Sequence, residues 1–243
     1  MNFGVLSIKK TLSEEDLEHD YGASWIWTAF DPASRLIICH YVGDRTLESC
    51  RAYFKILLNR LDCNPLFVSD ELIDYKTVLR ENYSTEVPSI PTGKRGRRRK
   101  PEKILSPELD YATVHKTREN GKVTKVEKKI IFGDKQRIEQ KLSQSPSHTI
   151  NTAYIERSNG TLRQMDGHLR RKSLTFAKEK PYFQARLNII IFVYNFIKIH
   201  STLSKNPDKS RTPRTPALCA GIISQNWTIN GAFKSPIIKS IKT

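Results

Sequence analysis

Two acidic residues in this sequence stand where carboxylates could do chemistry. Asp70 directly follows the apolar run 66–68, which predicts a buried strand, and ligands of α/β sheets gather beyond the carboxyl ends of strands. Glu156 lies in a predicted helix, where Asn159 and Arg163 follow at i+3 and i+7 and so share its face. An acid, an amide and a guanidinium on one helix face suit a metal-bound phosphodiester.

The chemistry that such a pair favours is attack on a phosphodiester, an anionic group that resists nucleophiles. Two divalent ions about 3.5–4 Å apart can activate the attacking oxygen and stabilise the leaving one. Hard ions such as Mg²⁺ bind carboxylate oxygens, so at least two acids, and normally three, must converge. The common alternative for a single acid is structural: Asp70 would cap the next helix and Glu156 would be a solvated helix residue.

The elements that must position these acids predict an α/β fold, because strands and helices alternate along the chain. Apolar and β-branched runs predict strands at 1–9, 25–30, 35–42, 66–68, 111–116 and 123–132. Helical spacing predicts helices at 46–62, 72–83, 134–142, 152–168, 182–200 and 217–222. Asp31 opens a turn between the second and third strands, and Asn120-Gly121 predicts a hairpin.

The chain is strongly basic, with 41 Lys and Arg residues against 25 Asp and Glu and a net charge of +16. Such an excess predicts a polyanionic partner; nucleic acid is the first candidate, and an anionic membrane surface or a ribosome are the others. No apolar stretch reaches the roughly 20 residues of a membrane helix. The four cysteines lack CxxC spacing, so we expect reduced thiols in a cytoplasmic protein and no zinc site.

The positive charge is concentrated in two segments. The first is a predicted flexible loop with six cations in seven residues: Lys94, Arg95, Arg97, Arg98, Arg99 and Lys100. The second, Arg170, Arg171 and Lys172, follows the predicted Glu156 helix. We expect both, together with Arg163, to contact the DNA backbone, which positions a protein without specifying sequence. The alternative is a solvated linker that repels itself.

Several separated motifs in one order resemble the DDE transposases of the insertion-sequence-one family and, more widely, the integrase catalytic core. They are WIWTAFDPASRLIICHYVGDRT, FVSDEL, TAYIERSNGTLRQM, RKSLTFAK and YNFIKIHSTL, and the resemblance runs from about residue 1 to residue 223. It implies an RNase H-like fold, a five-stranded mixed sheet flanked by helices, here with an inserted basic loop and β-hairpin. It also implies transposon-end DNA as the substrate and a homo-oligomer on that DNA.

The resemblance assigns roles to individual residues. Asp70 is implied as the second catalytic carboxylate and Glu156 as the third, with Mg²⁺ or Mn²⁺ as the cofactor. Asn195 and His200 match a late motif of the family, and the alternative for both is structural packing.

One family feature is missing. The family places its first catalytic Asp on the first strand, but residues 1–8 contain no acid and the first acid of the chain is Glu14. We expect the chain to begin just after that Asp, to bind divalent metal weakly and not to transpose alone. Asp31 is a tempting substitute, but its turn position makes a structural role the better interpretation.

Three functions remain open at this point. They are a transposase, a non-catalytic truncated product that binds DNA and partners or regulates the full-length enzyme, and an RNase H-like nuclease acting on RNA–DNA hybrids. The expected organisation is a first part of the core (1–83), the basic loop (84–107), a core strand with an inserted hairpin and short helix (108–149), a C-terminal helical part (150–223) and a tail (224–243).

Overall fold

The structure is a computed structural model that describes residues 1–8, 24–88, 101–170 and 179–234. The loop cations Lys94, Arg95, Arg97, Arg98, Arg99 and Lys100 lie outside the described residues. So do Glu14, Arg171 and Lys172. The predicted contacts of these cations with DNA therefore stay predictions.

The described strands form one large sheet and one small sheet. In chain order they are β1 (Asn2–Ile8), β2 (Ser24–Phe30), β3 (Ile37–Gly43), β4 (Leu66–Ser69), β5 (Ser84–Val87), β6 (Glu102–Leu105), β7 (Asp110–Glu119) and β8 (Lys122–Phe132). The large sheet has the order β3-β2-β1-β4-β7-β8, and β5 pairs with β6. The predicted α/β class is confirmed.

The middle of the large sheet is parallel and its flanks are antiparallel. β1 is parallel to β4, and β4 is parallel to β7. β2 runs antiparallel to β1, β3 to β2 and β8 to β7. The sheet has six strands instead of the five that the resemblance implies, because β8 extends the main sheet rather than forming a separate inserted hairpin with β7.

Helices cover both faces of this sheet, as parallel strands require. They are α1 (Leu47–Leu58), α2 (Ile73–Asn82), α3 (Lys135–Ser143), α4 (Ala153–Met165), α5 (Lys180–Phe192), α6 (Pro216–Cys219) and α7 (Ile229–Lys234). A 3-10 turn at Gly167–Leu169 follows α4, and a π-helical stretch at Val193–Ile197 follows α5.

Alternation along the strands divides the core in two. Phe3 and Trp27 point to the face that packs against Phe54 of α1 and Tyr75 of α2. The preceding residue of β2, Ile26, points to the opposite face and packs with residues of α4 and α5, including Ile155, Leu162 and Leu187. Successive strand residues point to opposite faces of the sheet, so this alternation determines which helices pack against each face.

Local signals fix several boundaries as predicted. The Thr46 hydroxyl accepts a hydrogen bond from the Ser49 backbone N–H and caps α1. Asn120 (φ 49°) and Gly121 (φ 77°) make the tight β7–β8 turn, which needs positive φ at both positions. Asp31 is a turn residue, because its carboxylate accepts hydrogen bonds from the backbone N–H groups of Ala33 and Ser34.

Other predicted elements need correction. The segment 84–107 was expected to be an irregular loop, but β5 and β6 pair across its two ends. The helix expected at 182–200 begins at Lys180 and becomes π-helical after Phe192. One side of this helix faces solvent, since Tyr182 is 73% and Ile189 65% exposed. The last predicted helix, 217–222, is the single turn α6, and α7 was not predicted.

The described helices and the four cysteines bear on two expectations from the sequence, the lack of a membrane helix and the presence of reduced thiols. Within the described ranges, no helix has both the length and the apolar character needed to cross a membrane. All four cysteines are free thiols: Cys39 and Cys50 are buried, and Cys63 and Cys219 are exposed.

The buried amide of Asn195 ties the end of α5 to the edge of the sheet. Its Oδ1 accepts a hydrogen bond from the Ile37 backbone N–H (3.0 Å), and its Nδ2 donates to the Ile37 carbonyl (2.9 Å). The packing alternative for this residue is therefore the one that the geometry supports.

We expect Asn195→Ala to destabilise the fold, because it leaves buried backbone groups of Ile37 without partners. The expected loss is about 1–3 kcal/mol for each such group, measured by urea unfolding. Asn230→Ala is the matched control, since Asn230 is exposed on α7, and its expected effect is within about 0.5 kcal/mol. Equal effects of the two substitutions would contradict the structural role.

Candidate functional site

Asp70 lies at the carboxyl end of β4, as the sequence predicted. The Leu72 backbone N–H donates a hydrogen bond to its carboxylate. The preceding residue, Ser69, is fully buried; its hydroxyl donates to the Asp70 carbonyl oxygen (2.6 Å) and also contacts the Tyr111 hydroxyl (2.8 Å). The end of β4 is therefore held firmly against β7, and the Asp70 side chain is presented to solvent.

The Asp70 carboxyl has an unusual environment for an exposed acid. It touches solvent, yet protein atoms surround much of it, and this desolvation raises its pKa above the usual value. The Leu72 N–H and the positive charge of Arg45 oppose the shift, while the negative charge of Glu156 adds to it. Asp70 and Glu156 are therefore near enough for the charge of Glu156 to add to the shift.

Glu156 lies in the first turn of α4 and is held by two donors. Thr152 donates its hydroxyl hydrogen to Glu156 Oε1 (2.7 Å), and the Lys116 ammonium forms an ion pair with the same oxygen. Burial works toward a raised pKa for the Glu156 carboxyl, but these hydrogen bonds and the charges of Lys116 and Arg118 outweigh it, so the pKa is lowered. Glu156 is thus an ionised carboxylate with a cation already in place.

Lys116 was missed by sequence reasoning. It lies on β7, forty residues before Glu156, and the pairing of β7 with β4 carries it to the same edge as Asp70. Nothing in the local sequence marks this lysine, since the contact depends on how α4 crosses the sheet.

The close approach of α4 to β1 sets the position of Glu156. A Cβ atom added to Gly4 would lie 3.0 Å from Ile155 Cγ1 and 3.5 Å from Asn159 Nδ2. Glycine at this position lets the helix backbone come near the strand. Asn159 consequently faces the sheet and is buried, and its Oδ1 has no hydrogen-bond partner among the described residues.

The site has the donor chemistry of a divalent-cation centre but not a complete ligand set. Carboxylate oxygens suit Mg²⁺ or Mn²⁺, and Asp70 and Glu156 supply them. Within the described parts of the chain, however, no group of three or more His, Cys, Asp and Glu side chains is arranged to hold a metal. The neighbouring acid Glu71 is engaged with His115 (2.7 Å) and Lys129 (3.6 Å).

The other residues that the sequence analysis assigned to the site lie at several places in the fold. Arg163 is half-buried in α4, and Arg170 is exposed after the 3-10 turn. Asn195 bonds to β3, away from the carboxylates. His200 lines a separate cavity with Arg157. The structure thus brings Asp70 and Glu156 together and places Asn195 and His200 elsewhere.

Comparisons of the chain with protein-family models, with curated proteins and with solved structures found no match.

We expect Gly4→Val to destabilise the protein by about 1–3 kcal/mol, because the added carbons overpack the contact with Ile155. Gly160→Ala is the matched control on α4: a Cβ there meets no atom within 4 Å, so we expect a gain of about 0.4–1 kcal/mol. Denaturant unfolding measures both changes. Adding Ile155→Ala to Gly4→Val tests the contact, because strictly additive effects would mean that these two side chains do not collide.

Proposed function

We propose that this chain is the catalytic core of a DDE-type DNA transposase, with an RNase H-like fold, that cleaves and joins DNA at transposon ends. The observation that carries the proposal is the placement of two acids beside neighbouring strands: Asp70 follows β4, and Glu156 pairs with Lys116 of the adjacent strand β7. These two acids are far apart in sequence, yet both lie at the edge of the sheet where parallel strands end. A raised and a lowered carboxyl pKa side by side is an arrangement that functional sites use.

The architecture is compatible with this proposal. A mixed sheet with three parallel strands at its centre and helices on both faces agrees with the fold that the resemblance implies. The net charge of +16 supports a nucleic-acid partner. The exposed cations Arg45 and Arg118 act on Asp70 and Glu156 respectively, so a phosphodiester brought to this edge would meet positive charge on either side.

The chain's own residues have distinct parts in the proposed chemistry. Bound Mg²⁺ or Mn²⁺ would activate the attacking oxygen and stabilise the leaving one. Asp70 and Glu156 would hold the ion through carboxylate oxygens. Lys116 neutralises Glu156 in the ion's absence, and Thr152 keeps the Glu156 side chain oriented.

A second candidate is a non-catalytic DNA-binding protein that partners or regulates a complete transposase. One finding favours it: the described residues supply two converging acids and no third. An RNase H-like nuclease remains a third candidate on the same carboxylate chemistry.

A strand-transfer assay with transposon-end DNA and Mg²⁺ separates these functions. Joining by this chain that Asp70→Ala and Glu156→Gln abolish, and that the exposed-loop control Asp208→Asn leaves intact, supports catalysis at this site. DNA binding without joining, unchanged in Asp70→Ala, supports the regulatory function. Hydrolysis of an RNA–DNA hybrid with no action on transposon ends supports the nuclease.

Lys116→Gln is expected to strengthen Mn²⁺ binding, because the ion no longer competes with an ammonium group for Glu156. We expect a gain of about tenfold in affinity, equivalent to about 1.4 kcal/mol, measured from free Mn²⁺ by electron paramagnetic resonance.

Lys103→Gln is the matched control for this measurement. It removes the same charge from a lysine that pairs with Glu86 in the small sheet, and should leave Mn²⁺ affinity unchanged. If Lys116→Gln also left the affinity unchanged or weakened it, Glu156 would not be a metal ligand.

A further inference from the structure

A cavity of about 310 Å³ lies between the end of β2, the α4 helix and the segment after the π-helical stretch. Its lining includes the side chains of Arg35, Arg157, Lys198, His200, Ser201 and Thr202. Its volume is at the lower end of the range for small-ligand pockets, about 300 Å³.

The charge of this cavity is entirely positive. The cavity is lined by the cations Arg35, Arg157 and Lys198 and by the titratable His200. None of the described residues that line it is acidic. Like charges gathered in one concave place repel, and such a place attracts anions from solution. The hydroxyl groups of Ser201 and Thr202 add uncharged donors.

Two buried nitrogen atoms of cavity-lining residues lack partners. Arg35 Nε and His200 Nδ1 have no hydrogen-bond partner among the described residues. Buried polar groups are nearly always hydrogen-bonded, so an orphaned one calls for a specific explanation. Both residues line the same positively charged cavity, and an anion bound there would offer an acceptor to the Arg35 Nε–H, and to His200 in the tautomer that carries its hydrogen on Nδ1.

The positions of Arg35 and His200 are fixed by other contacts. The Arg35 guanidinium stacks 4.0 Å from the centre of the Tyr154 ring, and its backbone is left-handed (φ 62°), a conformation that a non-glycine residue adopts at a cost. The His200 backbone N–H donates to the Arg214 carbonyl (2.9 Å), and its ring meets the Tyr194 ring edge-on. These groups are therefore held ready before any ligand arrives.

We propose that this cavity is a binding site for a phosphate group, distinct from the Asp70–Glu156 site. Planar guanidinium groups recognise the oxygens of a phosphate by paired hydrogen bonds, and Arg35 and Arg157 supply two of them. Arg157 is adjacent to Glu156 in sequence, but successive helix residues point about 100° apart, so the two side chains serve different surfaces of α4. The proposal holds whether or not the chain is a transposase.

His200 provides the reporter for this site. Burial lowers the pKa of its imidazole, and the positive charges of Arg35, Lys198 and Arg157 lower it further. A bound phosphate would supply the missing negative charge, so it should raise the pKa of His200 and shift the ring signals.

The experiment is a titration of the full chain with inorganic phosphate at constant ionic strength, followed by ¹H–¹⁵N correlation spectra of the histidine rings. His200→Gln assigns the reporting signals. We expect a saturable shift of His200, with affinity reduced at least tenfold in Arg157→Gln and in Arg35→Gly. Glycine at position 35 accepts the left-handed backbone, so that variant should fold. Arg80→Gln, which removes an exposed cation of α2 outside the cavity, should bind phosphate normally.

Two further probes identify the source of the phosphate. Displacement of inorganic phosphate by a dinucleotide that carries no terminal phosphate, and so offers only a phosphodiester, assigns the cavity to a nucleic-acid backbone. Displacement only by a nucleoside monophosphate assigns it to a free phosphomonoester. Both outcomes support the site. A His200 signal that never saturates, or that responds equally in Arg157→Gln and Arg80→Gln, overturns it.

Discussion

The burial of the parallel strands β1, β4 and β7 is the constraint on which the rest of this structure depends. Neighbouring parallel strands end at the same edge, so whatever follows them meets there. Because such strands must be covered on both faces, α1 and α2 occupy one side and α4 and α5 the other. Asp70 reaches the common edge from β4, and Glu156 is carried to it by the helix that covers β1. The candidate site is thus a consequence of the layering.

The direction of its pKa shift sets Asp70 apart from the structural acids of this protein, whereas the lowered pKa of Glu156 resembles theirs. Asp110 and Asp166 are buried, but ion pairs with Arg137 and Lys141, and with Arg186, offset their desolvation and lower their pKa. Asp70 has the opposite balance, since desolvation prevails and a second acid reinforces it. Among the described carboxyl groups with a resolved shift, Asp70 is the one whose pKa is raised.

Local structure could be predicted from this sequence wherever the type of a residue determines the conformation of its own segment, as at a helix cap or a tight turn. Thr46 caps α1 and Asn120-Gly121 turns the hairpin, and both were predicted. The helix predicted at 134–142 is α3, and its first predicted residue, Asp134, is the N-cap. The strand before Asp70 was predicted from its apolar run. The small sheet was missed because β5 and β6 are mostly exposed and show no alternation of apolar and polar residues.

Contacts between distant segments could not be predicted in the same way. The proximity of Asp70 and Glu156 was expected only because of the resemblance, since no pattern in either segment indicates the other. Lys116 and the partners of Asn195 depend on the crossing of helices over strands, and this information is spread over the whole chain. The change from α5 to a π-helical stretch has no proline or glycine to announce it.

The outer strand β8 has a consequence for how copies of this protein meet. An exposed sheet edge invites another strand to pair with it, and natural proteins discourage this with lysines. β8 carries four of them, Lys122, Lys125, Lys128 and Lys129, beside the exposed apolar side chains of Val123 and Val126. The β8 edges of two copies would repel one another in dilute salt. Once salt screens the lysine charges, the exposed valines and the free edge of β8 can pair with another copy. Aggregation of this protein should therefore increase as salt screens these lysines.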